Sequence, residues 1–70
     1  MKVKFNKNKL KYDISDYGAQ SKVATELRMT TGTLSRIINR DRINFAMLYA
    51  ICSVIGTKPD DYVTEAGWSE

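Results

Sequence analysis

The chain has 70 residues, with 43% apolar and 27% charged, which predicts one small soluble globular domain and argues against disorder. One cysteine, Cys52, cannot close an internal disulfide, no apolar run nears the roughly 18 residues of a membrane span, and the basic start MKVKFNKNK lacks the apolar segment of a signal peptide, so an intracellular setting away from membranes is expected. Net charge is +3 but uneven: ten Lys/Arg against four acids up to Arg42 give +6, and Lys58 against Asp60, Asp61, Glu65 and Glu70 gives −3, a basic front suited to a polyanion or, equally, ordinary solvated charge.

Residues 1–7 alternate lysine with apolar Val3 and Phe5 and then turn polar, which reads as a short N-terminal arm. Asn6 or Asn8 can cap a first helix running to about Tyr17, with Leu10, Ile14 and Tyr17 on one face. Gly18 ends it, as a glycine in the left-handed conformation does after many helices. Val23, Ala24 and Leu27 mark the buried face of a second helix. Thr30 has the hydroxyl and spacing of an N-cap, and Leu34, Ile37 and Ile38 form the apolar stripe of a third. Asp41 and Arg42 break the pattern. Asn44 can cap a fourth helix through Phe45, Leu48, Ile51, Cys52 and Ile55, closed by Gly56. Pro59, Asp60 and Asp61 suit the first turn of a fifth, where the helix dipole favours carboxylates. Residues 64–70 read as a short flexible tail in which Trp68 packs back against the fourth and fifth helices or reaches a partner. The expectation is an all-α domain of five short helices spanning residues 1–70, with no strand of consequence.

The absence of histidine removes the commonest general base and most zinc sites. Cys52 lies on an apolar helical face and reads as a core thiol. Gly32 has no strand before it and no lysine after it, so TTGT is not a phosphate loop. No enzyme activity, metal or cofactor is expected.

The second and third predicted helices belong together. Small Ala24 suits a close helix crossing, Met29 is apolar in the turn, and Leu34 and Ile37 face inward. Thr31, Gly32, Ser35, Arg36 and Asn39 then project outward, followed by Arg40 and Arg42. Short hydrogen-bonding side chains flanked by cations are what a helix in a major groove needs. The stretch GAQSKVATELRMTTGTLSRIIN resembles the helix-turn-helix of phage Cro and CI-type repressors. The likeness rests on the glutamine before the first helix, the alanine four residues on, the apolar turn residue and the Leu-Ser-Arg-Ile run. The run INFAMLYAICSVIGTKPDDYV is similar to the fourth and fifth helices of that family, so the resemblance covers about Leu10 to Val63. It implies a lambda-repressor-like domain in the cytoplasm of a bacterial host. Gln20 would then touch a phosphate, and Thr31, Gly32 and Arg36 would face base edges with Ser35 beside them. Asn39 would lie near the backbone, Arg40 and Arg42 would add phosphate contacts, and Arg36 would read guanine. Two positions depart from the pattern. Arg28 stands where the family usually has a turn glycine, and reads as solvated charge or as a sign of a different turn. Gly32 replaces a side chain that often reads a base, and fits either a tight approach within the chain or the close approach of a partner.

The resemblance implies a phage-type transcriptional regulator that binds double-stranded operator DNA, as a homodimer on a two-fold site, in a lysis/lysogeny-like switch. The alternative is an antirepressor, a modulator of repression that grips the DNA-binding domain of a CI-type repressor protein. An antitoxin on the same fold is a weaker third reading.

Overall fold

Three of the four α-helices among the described residues start where the sequence offers a side-chain acceptor. In the computed structural model, which describes residues 2–65, Asn6 accepts from the Lys9 N–H at 3.1 Å and opens α1 (Lys7–Tyr17). Thr30 accepts from the Thr33 N–H at 3.1 Å and opens α3 (Thr31–Ile38). Asn44 accepts from the Ala46 N–H at 2.9 Å and opens α4 (Phe45–Ile55). Each acceptor satisfies an N–H that helix geometry leaves without an intrahelical partner. The exception is α2 (Gln20–Glu26), whose cap position is held by Ala19 with no side-chain bond.

The α1–α2 junction differs from the expected left-handed glycine. Gly18 is extended (φ 164°), and the positive φ falls on Ala19 (φ 104°, ψ 160°). The N–H groups of Gly18 and Ala19 both donate to Ile14 O at 3.1 Å. The chain therefore finishes α1 first and reverses one residue later. Gly56 behaves as expected, left-handed at φ 80° and donating to Cys52 O at 2.8 Å.

The absence of strands is the main expectation overturned. The stretch read as an arm is β1 (Lys2–Phe5), with Val3 and Phe5 buried and Lys2 and Lys4 outward. It is the centre of an antiparallel sheet, flanked by β2 (Arg42–Asn44) and β3 (Val63–Glu65) in the order β2-β1-β3. Lys2 pairs with Asn44, Val3 with Ile43 and Lys4 with Arg42, while Phe5 pairs with Val63 and Lys4 with Glu65 across an irregularity. The period-two pattern K-V-K-F is a strand signal, but its partners lie some forty and sixty residues away and are only three residues long. Residues 64 and 65, expected to open a flexible tail, belong instead to β3; residues 66–70, Trp68 among them, lie outside the described residues.

The expected fifth helix is a single 3₁₀ turn, Pro59–Asp61. Tyr62 stops it. Its N–H donates to Pro59 O at 3.0 Å, its ring is fully buried, and its hydroxyl donates to Asp13 Oδ2 of α1 at 2.6 Å. Anchored there, the chain extends into β3 instead of continuing to coil. The buried side chains form one cluster drawn from the sheet, the helices and Tyr62, centred on Leu10, Ile14, Val23, Leu34, Leu48 and Ile51. The domain is thus mostly helical with a small three-stranded sheet. No described helix is long and apolar enough to cross a membrane.

Candidate functional site

The site is built on how α2 turns into α3. Ala24 is buried at the crossing, and Val23 and Leu34 fill the contact. After Leu27, Met29 N–H donates to Ala24 O at 2.9 Å and Arg28 N–H to Thr25 O at 3.0 Å, with Arg28 at φ 60°. These bonds make a Schellman motif with arginine in the left-handed position that glycine usually takes. Arg28 therefore does not change the turn. It strains it, since a non-glycine residue pays about 1–2 kcal/mol for that conformation.

The turn leaves one face of α3 outward. Thr31, Gly32, Arg36 and Asn39 are exposed, and Arg40 and Arg42 continue that exposure. Ser35 is only half-buried rather than fully outward, and Gln20 is half-buried at the start of α2. A methyl group added at Gly32 would meet nothing within 4 Å, so no tight approach within the chain explains that glycine.

One of the outward residues, Asn39, is tied down. Asn39 Nδ2 donates to Ser35 O at 2.7 Å and to Ser35 Oγ at 3.2 Å, and Asn39 Oδ1 accepts from Lys11 Nζ. Lys7 Nζ donates to Asn39 O at 3.3 Å and lies 3.8 Å from Asp41. Lys7 and Lys11 thus stand at the negative end of the α3 dipole and bring two more cations beside Arg40 and Arg42. The sequence reading missed both, although their i, i+4 spacing already put them on one face of α1.

A second feature adjoins them. Between the end of α3, β2 and the first turn of α4 lies an open pocket of about 140 Å³. Ile37, Ile43 and Met47 give it an apolar floor, and Lys2, Arg40 and Arg42 give it a cationic rim. Lys2 reaches this place only because β1 pairs with β2.

Elsewhere the polar chemistry is structural. The Tyr62 hydroxyl, with Lys9 3.3 Å away as a second donor, holds the Asp13 carboxyl below its usual 3.8. Burial, then the bond to Asp13, pushes the Tyr62 phenol up. Cys52 is buried and its thiol is pushed up mainly by that burial, the opposite of what a nucleophile needs. Among the described residues no three His, Cys, Asp or Glu side chains gather as a metal site requires.

No protein-family model, curated protein or solved structure matches the chain. The likeness to Cro and CI-type regulators therefore stays one of motif residues.

Proposed function

We propose that this chain is a phage-type regulator that binds operator DNA through α2, the Schellman turn and α3 acting as a helix-turn-helix. The observation that carries the reading is the outward face of α3, short and polar over its first turns and ringed by cations at its end. Arg36 is the one long donor on that face and reads a base edge, preferentially guanine O6 and N7. Thr31 supplies a short donor beside it, and Gly32 lets a groove edge approach the helix backbone. Arg40, Arg42, Lys7 and Lys11 contact phosphates and release counterions, so affinity falls steeply with salt. Binding as a homodimer on a two-fold site follows from the groove spacing of such motifs.

The test is titration of the folded protein with duplex carrying the DNA that flanks its own gene. Arg36→Ala costs about 1–3 kcal/mol and relaxes one base position, whereas Arg40→Ala weakens all sequences alike and lowers the salt slope by about 1. Absence of binding to any such duplex at low salt, with the fold intact, would falsify the reading.

One observation favours a second reading, an antirepressor whose α3 grips a CI-type repressor. The Asn39 amide and Ser35 Oγ are engaged with each other, which leaves few groups for base edges. A repressor that co-purifies with the chain and loses its operator in its presence supports that reading. A repressor that keeps its operator removes it.

A further inference from the structure

The open pocket between the end of α3, β2 and the first turn of α4 has a chemistry that the outward face of α3 does not use. Ile37, Ile43 and Met47 form an apolar floor beneath Lys2, Arg40 and Arg42. Its volume of about 140 Å³ is below the roughly 300 Å³ at which small-molecule sites begin. It is close to the roughly 150 Å³ cavity that holds one benzene ring. A pocket of this size receives a single side chain, as the anchor pockets of protein interfaces do. We propose that it is the anchor pocket for an acidic segment of a partner protein, taking one phenylalanine-sized side chain set between carboxylates.

Charge decides the flanks of that segment. Among the described residues the three rim cations meet no carboxylate at ion-pair distance; Asp41, between the two arginines in sequence, stands 3.8 Å from Lys7 instead. Lys2, Arg40 and Arg42 are exposed, so an arriving carboxylate gains charge-assisted hydrogen bonds without first breaking a pair. A nucleic-acid backbone satisfies the arginines but sets no ring-sized apolar group beside them, which leaves the floor idle. A second copy fits less well. Of the large apolar side chains exposed among the described residues, Tyr49 lies on α4, which carries no carboxylate. Tyr12 follows Lys11 and shares its helix face with Lys9 as well as Asp16. The proposal stands apart from the DNA reading, which uses Arg40 and Arg42 but not the apolar floor.

The test is titration of the full, isotope-labelled chain with the peptide acetyl-Glu-Glu-Phe-Glu-Glu-amide, followed by NMR. Saturable shifts are expected at the methyls of Ile37, Ile43 and Met47, with Overhauser effects from the peptide's phenyl ring to Ile37 and Met47. Asparagine in place of the peptide's phenylalanine lowers affinity about tenfold or more. Glutamines in place of its glutamates lower it severalfold. In the protein, Arg40→Ala and Arg42→Ala each weaken the peptide severalfold. Both positions are exposed, so these variants keep the fold where a change in the floor would not. No saturable binding, equal binding of the asparagine or glutamine peptide, or shifts confined to another surface overturn the proposal. Three further results overturn it by giving the pocket to a different occupant. Benzoate that binds as tightly as the peptide gives it to a small ligand. Duplex DNA that shifts the Ile37 and Met47 methyls where the peptide does not gives it to nucleic acid. Overhauser effects between copies at those methyls, fading on dilution, give it to a second copy.

Discussion

Gly32→Ala separates what the chain needs for folding from what its α3 face does. Gly32 is the second residue of α3, and a Cβ there meets nothing within 4 Å. Replacing a helical glycine by alanine removes backbone entropy from the unfolded state and stabilises by roughly 0.5–1 kcal/mol. Near a helix start the lower figure applies, so about 0.5 kcal/mol and a rise of about 2–4 °C in Tm are expected for a domain of this size. Thermal unfolding followed by circular dichroism reads this directly. The same methyl projects where a groove edge or a partner's surface would approach α3. There it displaces the contact, and a loss of about tenfold in affinity corresponds to about 1.4 kcal/mol. Stability and binding therefore move in opposite directions. A variant that is less stable refutes the reading of Gly32 as sterically free within the chain. A variant that is more stable and binds as before refutes close approach at this helix turn.

Ala19 (φ 104°, ψ 160°) occupies backbone space that is nearly reserved for glycine, so Ala19→Gly stabilises by about 1–2 kcal/mol in urea unfolding. Arg28→Gly, at φ 60° in the Schellman turn, stabilises by about 0.5–1 kcal/mol, the relieved strain being partly offset by unfolded-state entropy. Tyr62→Phe removes the bond that holds Asp13 below 3.8. A carboxyl with a depressed folded-state pKa contributes stability that is present above its unfolded value and lost as pH falls through the folded one. The wild type is therefore the more stable at pH 7, and its advantage over Tyr62→Phe shrinks below about pH 4; equal urea midpoints at pH 7 would remove Tyr62–Asp13 from the account.

Helices were legible because their determinants are local. Asn6, Thr30 and Asn44 each cap within three residues of their own position, and Leu34 and Ile38 repeat at a helical period. The sheet was not, because β1 has no hairpin partner and its alternation only acquires meaning once Ile43 and Val63 arrive beside it. The 3₁₀ turn was misread for the same reason. Pro59, Asp60 and Asp61 are sound opening residues for a helix, but the burial of Tyr62 against Asp13, 49 residues away, ends it after one turn. On the candidate site, exposure of Thr31, Gly32 and Arg36 followed from period alone. The tie of Asn39 to Lys11 did not, since nothing in the spacing of either helix says which faces meet.

That tie divides the labour along α3. A carboxamide already donating to Ser35 and accepting from Lys11 has to break those bonds before it can read a base, and their rupture offsets what the new bond gains. On the proposed DNA reading, discrimination would thereby be confined to the first two turns, where Thr31, Gly32 and Arg36 lie. The far end would supply attraction instead. Lys7, Lys11, Arg40 and Arg42 gather at the negative end of the helix dipole, and Asp41 stands 3.8 Å from Lys7. Attraction without readout is strong, salt-sensitive and indifferent to sequence.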